Sequence, residues 1–493
     1  MKYEAVIGLE THVQLKTRTK MWCACPNQFG APPNTLVCPV CLGLPGTLPV
    51  PNEEAIRLTL LTGMLLHCEL PPLARFDRKS YFYPDMPKNY QITQYDLPST
   101  RNGYVEFEFE GKVHRVRIAR AHLEEDVGKS FHFEHHSGVD FNRAGVPLLE
   151  IVSEPDLRSA DMAWAYLTAL KEILVQGGIS DCDMEKGMVR CDVNVSVRPR
   201  GSDRLGAKIE IKNMNSFSGV RRALEYEIAR QIAVLKAGGT LVQSTRRWDE
   251  LTGTTEEMRT KEEAHDYRYF PDPDLLPIVP QPDWLEALRA RCIERPLERK
   301  HRLMQQYGLP AQDAEVFKSD PALAAYFETL APRVRNPKLL ANWILNNLRA
   351  KLAEWHAEQT AALRTENPDA PPPPPPGPES LRFPPEALIE LIQLVENQTL
   401  SSTAAQQVFA EMFATGRRPA DIVREKGLAQ VSDAAQLEQL CDQVLAAHPG
   451  PAEDYRRGKT AALNFLKGQV MKLSRGKANP VLVGEILERK LRS

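Results

Sequence analysis

Two groups of residues in this sequence are spaced for chemistry. The first is sulfur: Cys23-Ala-Cys25 and, after twelve intervening residues, Cys38-Pro-Val-Cys41 supply two close pairs of thiols. Four thiolates on such spacings suit tetrahedral zinc, and four sulfur ligands close the coordination sphere, so the role expected is structural. The competing reading is four unrelated buried thiols, which needs two close pairs to arise by accident among nine cysteines. Cys68, Cys182, Cys191, Cys292 and Cys441 are expected in cores or at surfaces, without chemical roles.

The second group is acidic. In Val6-Ile7-Gly8-Leu9-Glu10-Thr11-His12-Val13-Gln14-Leu15 the odd positions are mainly apolar, while Glu10, His12 and Gln14 alternate with them. Strand side chains alternate between faces, so one face packs and the other is left for chemistry. The same grammar returns in Arg190-Cys191-Asp192-Val193-Asn194-Val195-Ser196 and in Lys208-Ile209-Glu210-Ile211-Lys212, and Glu124-Glu125-Asp126 and Glu150 lie in or after short apolar segments. For one strand alone a solvated sheet face explains the pattern. Repetition changes that, because like charges on adjacent strands repel unless cations offset them, and hard divalent ions take carboxylate oxygens and water. An acid cluster with one histidine and interleaved Lys79, Arg190, Lys208 and Lys212 fits a site that handles phosphate through magnesium.

The elements that must position these residues fall into three parts. Residues 1–293 carry short alternating stretches and Gly, Pro and Asn turns, which predict mixed α/β structure with a mostly antiparallel sheet and a zinc-binding insertion near 23–41. Residues 294–420 change character: Pro321–Val334, Lys338–Glu358, Pro385–Glu396 and Ser402–Ala414 have helical apolar spacing, with Pro at early positions and Ser or Asp before them as caps. The run Pro371–Pro376 inside a segment near 368–378 predicts an extended spacer. Residues 421–493 predict a small helical tail. The fold class expected is α+β, a sheet domain followed by helical ones.

At 493 residues, 26% charged and 42% hydrophobic, the chain exceeds one compact core. No apolar run nears the roughly 20 residues that span a bilayer, and the start lacks a signal peptide's basic and apolar regions, so a cytoplasmic protein with reduced cysteines is expected. The net charge of −2 carries no nucleic-acid signature, yet Pro451–Ser493 holds ten Lys and Arg against four Asp and Glu. Gly128-Lys129-Ser130 is not a phosphate loop, because the glycine required five residues earlier is Leu123.

Several long strings occur together and in order: Gly8–Leu15, Phe76–Asp85, His122–Asp126, Glu150–Asp156, Arg190–Asn194, Glu210–Asn213, Asp266–Pro271 and Gly468–Lys472. With them the chain resembles the B-subunit family of the tRNA-dependent aspartyl/glutamyl amidotransferases. Departures from that pattern are mild: Thr11, Ser80, Lys186, Val193 and the proline run. The resemblance implies a cradle-like kinase and transamidase domain, a helical domain and a tRNA-contacting tail. It also implies ATP-dependent conversion of Glu-tRNA(Gln) to Gln-tRNA(Gln), of Asp-tRNA(Asn) to Asn-tRNA(Asn), or both. On matching positions, His12, Glu124 and Glu150 would hold one magnesium ion, with Glu10, Glu125, Asp192 and Glu210 around a second ion or its waters. Lys79, Arg190, Asn194, Lys208 and Lys212 would handle nucleotide and phosphate, Tyr81, Tyr83 and Asp85 would line the pocket, and Lys467, Lys472, Arg475 and Lys477 would meet tRNA. The sequence has neither a Ser-Ser-Lys amidase stretch nor a Cys-His glutaminase arrangement, so ammonia is expected from an A subunit, with a small C subunit joining the two.

Overall fold

The computed structural model describes residues 2–260, 267–368, 370–430, 434–474 and 478–492, which form two compact units, Met1–Glu298 and Arg299–Ser493. The first is α+β and the second is helical.

The strands of the first unit are β1 (Tyr3–Gln14), β2 (Asp77–Ser80), β3 (Tyr90–Thr93), β4 (Thr100–Phe109), β5 (Lys112–Glu125), β6 (Lys129–His132), β7 (Ser137–Asp140), β8 (Pro147–Ser153), β9 (Val189–Pro199), β10 (Ile209–Lys212), β11 (Ser244–Asp249), β12 (Thr254–Thr260) and β13 (Phe270–Pro271). Eight of them make one sheet in the order β12-β11-β10-β9-β1-β8-β5-β4, antiparallel throughout except for the parallel pair β10–β11. A small sheet β13-β2-β3 and the hairpin β6–β7 complete the strands.

The period of two decides which side of the large sheet is buried. Ile7, Leu9 and Val13 on β1, Val193 and Val195 on β9, and Leu149 and Ile151 on β8 are all fully buried in one core. The helices α1 (Glu53–Leu65), α2 (Ala160–Gln176) and α3 (Phe217–Lys236) supply the rest of that core through residues such as Leu61, Tyr166, Leu167 and Leu224. Each such side chain contributes about 1.5–3 kcal/mol, which makes a one-residue slip of β1 prohibitive. The opposite face is thereby committed to the polar residues. Ser159 and Ser216 cap α2 and α3 by accepting from the backbone of Met162 and Gly219. Asn213, directly after β10, takes a left-handed turn at φ 70° that asparagine tolerates, and its amide donates to the Trp248 carbonyl.

In the second unit helices lie at Pro321–Leu330, Pro337–Asn342, Arg349–Glu366, Pro385–Glu396 and Ser402–Thr415, with the wider π turns Trp343–Leu348 bridging the second and third. Two separate apolar clusters form there, one from Leu303 to Val423 and one from Leu437 to Leu491. The proline run adopts neither helix nor strand, and the His356 imidazole bonds to the Pro373 carbonyl at 2.8 Å. Among the described residues no helix is long and apolar enough to cross a membrane.

Candidate metal and phosphate site

Strand register builds the site. On the polar face, His122 of β5 pairs with Glu150 of β8, Glu150 with His12 of β1, and His12 with Arg190 of β9, giving one straight row across four strands. Directly opposed residues have Cβ atoms about 4.5–5.5 Å apart, so the Glu150 carboxylate is bound to lie between two imidazoles. Glu150 Oε2 is 3.7 Å from His12 Nε2 and 3.3 Å from His122 Nε2. Glu124, two residues along β5 and on the same face, brings Oε1 to 3.9 Å from His12 Nε2. Ligand atoms of His12, Glu124 and Glu150 all lie within 4.8 Å of one another.

The electrostatics of this cluster are those of too many acids in little water. Glu124 is buried, and burial first, then the charge of Glu150, pushes its carboxyl upward. Glu150 is held well below the usual carboxylate range: burial opposes this, but the charges of His122 and His12 beside it prevail. Burial also opposes the charging of His12, yet its close approach to Glu150 and the charges of Glu150, Glu124 and Asp192 raise it to about 9. A donor set of two carboxylates and one imidazole, with one carboxyl pushed up by its neighbour, fits a hard divalent cation completed by water.

One row further along, Glu10 pairs with Asp192, and on the row beyond it Asn194 pairs with Glu210. Here the chain supplies its own cation. Lys212 Nζ is 2.6 Å from Asp192 Oδ2 and 3.2 Å from Glu210 Oε1, and these two acids raise its pKa against the effect of burial. Asn194 donates to Glu10 at 2.8 Å, and Thr245 of β11 donates to Glu210 at 2.9 Å.

Other expected residues are placed differently. Glu125 does not join the cluster. Alternation turns it from the face that holds Glu124, and its carboxylate pairs with Lys88 and accepts from the backbone of Ile92 at 3.0 Å. Arg190 spends one nitrogen on buried Asp126, 2.8 Å away, while its side chain stays 38% exposed. Asp126 also accepts from Gln14 at 2.9 Å and from the Val127 backbone at 2.9 Å. Lys79 lies over the Tyr267 ring at 4.7 Å, Lys208 is exposed just before β10, and Tyr81 and Tyr83 pack on each other at 4.8 Å. Asp85 is half-buried with one carboxylate oxygen sealed and unpartnered.

The sulfur group also converges. One sulfur from each of Cys23, Cys25, Cys38 and Cys41 lies within 4.8 Å of the others, and the Cys38 and Cys41 sulfurs are 3.9 Å apart. The bond from Cys23 first, aided by the ammonium of fully buried Lys20, holds the Cys41 thiol down at about 4, while burial and its neighbours push Cys25 up to about 11. Four sulfurs this crowded, one of them readily ionised, suit a cation that takes thiolate ligands in a tetrahedron.

In the tail, the basic excess is smaller in space than in sequence. Arg489 and Lys490 pair with Glu438 and Asp442 of the helix Ala434–Ala447, upstream of the window in which the excess was counted, and Arg457 and Lys459 pair with Glu453 and Asp454. Lys467 is half-buried and Lys472 exposed, whereas Arg475 and Lys477 lie outside the described residues.

Comparison with known proteins decides the family. The GatB/GatE catalytic domain family matches residues 5–286 and the GatB domain family matches residues 325–491. The chain is 49% identical over 493 residues, all of both chains, to the B subunit of the aspartyl/glutamyl-tRNA(Asn/Gln) amidotransferase of Thermoanaerobacter pseudethanolicus. It is 50% identical to the subunits of that name from Carboxydothermus hydrogenoformans, over 99% of each chain, and Moorella thermoacetica, over 100% of each. The chain belongs to the amidotransferase B-subunit family. In this family member, the sequence patterns give His122 and Thr245 no role and place Asp126 among the acids without assigning it one. His122 and Asp126 bracket the acids Glu124-Glu125 at a two-residue period, a signal that would have found both; Thr245 had none, because it reaches Glu210 across a parallel pairing that only the fold creates.

Proposed function

We propose that this chain is the carboxylate-activating, tRNA-binding subunit of a glutamine-dependent tRNA amidotransferase, a ligase that forms carbon–nitrogen bonds. The observation that carries the reading is the convergence of His12, Glu124 and Glu150 from three strands onto one point of the polar face. Its substrate is a tRNA bearing a misplaced glutamate or aspartate. A carboxylate is a poor acyl donor because oxide would have to leave. An oxygen of the substrate's side-chain carboxylate therefore takes the γ-phosphoryl group of ATP, releasing ADP; ammonia then attacks the acyl carbon, phosphate leaves, and the surplus proton passes to a base. Bound Mg²⁺ would neutralise the phosphoryl oxygens and align donor and acceptor.

The chain's own residues do the rest. His12, Glu124 and Glu150 hold the first ion. Glu10, Asp192 and Glu210 serve a second ion or its waters, with Lys212 already neutralising two of them. Arg190, whose side chain stays 38% exposed, together with Lys79 and Lys208, supplies positive charge for phosphate. Asn194 orients Glu10. Glu125 acts at a distance, through its pairing with Lys88. The four cysteines hold structural zinc. Residues 421–493 contact tRNA backbone through Lys467, Lys472, Arg475 and Lys477, an electrostatic and shape-reading contact. An A subunit delivers ammonia shielded from water, and a C subunit ties the complex together.

The test is amidation of Glu-tRNA(Gln) and Asp-tRNA(Asn), offered separately with ATP and ammonium, by the chain copurified with its A and C partners. H12A and E150A should abolish amide formation while tRNA still binds. Amide formation at the parent rate in both variants would refute the site.

A further inference from the structure

His122 takes no part in the reaction as derived above, yet it is among the most constrained side chains of the site. Its side chain is 4% exposed, its Nε2 lies 3.3 Å from Glu150 Oε2, and its Nδ1 is buried without a hydrogen-bond partner. An imidazole with one nitrogen on a carboxylate and the other dry and unpaired can serve in one direction only, donating Nε2–H to that carboxylate.

The backbone around it is pinned by unusual means. The β4–β5 pairing begins at Thr100 and Ala121, so β5 beyond Ala121 has no β4 residue beside it. Side chains replace the missing strand: Thr100 Oγ1 bonds both the Ala121 carbonyl at 2.9 Å and its N–H at 3.1 Å, and the Leu123 N–H donates to Gln94 Oε1 at 3.1 Å. The Gln94 oxygen is fixed in turn by the backbone and hydroxyl of Ser99. His122 is thus clamped on both sides of its own backbone. A glutamate's terminal torsion is broad and would let either oxygen face the cluster; a donor on Oε2 removes that freedom.

We propose that His122 is a positioning residue that donates to Glu150 Oε2 and so sets how the Glu150 carboxylate presents itself to a divalent cation, without ligating the cation itself. This rests on the metal-site reading above, and outer donors of this kind sustain metal affinity by orienting the ligand.

The test uses the complex with its A and C partners and Mn²⁺ as the probe, its binding read by electron paramagnetic resonance and its nitrogen ligands by electron spin echo modulation. In H122L, Mn²⁺ affinity should fall about 10- to 100-fold. In H122Q, whose amide can still donate, it should return to within a few-fold of the parent. One nitrogen coupling should be present in the parent, persist in H122Q and vanish in H12A. Parent-like Mn²⁺ affinity in H122L would overturn the proposal. So would a second nitrogen coupling that disappears in H122Q, which would make His122 a ligand. If H122L does not fold, H122A carries the affinity comparison. Failure of the underlying metal-site reading has its own signature, equal Mn²⁺ binding by the parent and H12A.

Discussion

Replacing Asp126 by alanine tests how the site is braced. Asp126 is 1% exposed and accepts from Arg190 at 2.8 Å, from Gln14 at 2.9 Å and from the Val127 N–H at 2.9 Å, with Arg143 3.7 Å away. Deleting one partner of a buried ion pair costs about 3–5 kcal/mol because the other charge is stranded. Arg190 is 38% exposed and can recruit water, which places its share at or below the low end of that range. The lost bond to Val127 adds about 1 kcal/mol. We therefore expect D126A to lose about 3–4 kcal/mol, and D126N, which keeps an acceptor but no charge, about half as much. The pH dependence has a definite sign. Burial would raise the Asp126 carboxyl, but Arg190 and then Arg143 hold it below its ordinary value. Its charge therefore stabilises the folded chain fully above the unfolded-state pKa of about 4, and that contribution is lost as pH falls through the lower folded value. Urea unfolding of the full chain, followed by tryptophan fluorescence from pH 7 to pH 3, should show a constant gap between parent and D126N down to about pH 4 that narrows below it. A loss under about 1 kcal/mol in D126A, or a gap that widens in acid, would refute the bracing argument.

Three other outcomes are expected. Elemental analysis should find one zinc per chain, and C41S should lower this and destabilise the protein; parent chain well below one zinc would dismiss the zinc site. Lys212→Met removes the ammonium that neutralises Asp192 and Glu210, so Mn²⁺ should bind that second position more tightly while amidation falls; an unchanged affinity at that position would argue against a second cation there. Deleting residues 421–493 should weaken tRNA binding and flatten its salt dependence while ATP hydrolysis persists. A tRNA affinity unaltered by the deletion would remove the tail from the interface.

Lys212 and Glu125 show where the sequence misleads by proximity. Glu124 and Glu125 are neighbours in the chain and strangers in space, since alternation sends one to His12 and the other to Lys88. That separation was legible from the period of two: it turns Glu125 from the face of the acids it was expected to join around a second ion, Glu10, Asp192 and Glu210. Lys212 was legible as a cation near acids, but the sequence could not show that it sits on the two carboxylates assigned to a second metal, because that depends on the β9–β10 register.

Much of this protein is local and therefore written in its sequence. The alternation in β1, β9 and β10 and the helical spacing after residue 320 are short-range patterns that produced strands and helices, the proline run adopts neither, and the close cysteine pairs bring four sulfurs together. What the tertiary structure decided is every relation between strands. The order β9-β1-β8-β5 and its antiparallel register set His122, Glu150, His12 and Arg190 in one row. Within the second unit, helix packing draws the tail's Arg489 and Lys490 onto acids of another helix. A sequence specifies which face each side chain takes, because the backbone repeat is fixed by covalent geometry. Which faces meet is settled only when burial of the apolar side of the sheet selects one register among many, and the polar row is carried into place by that choice.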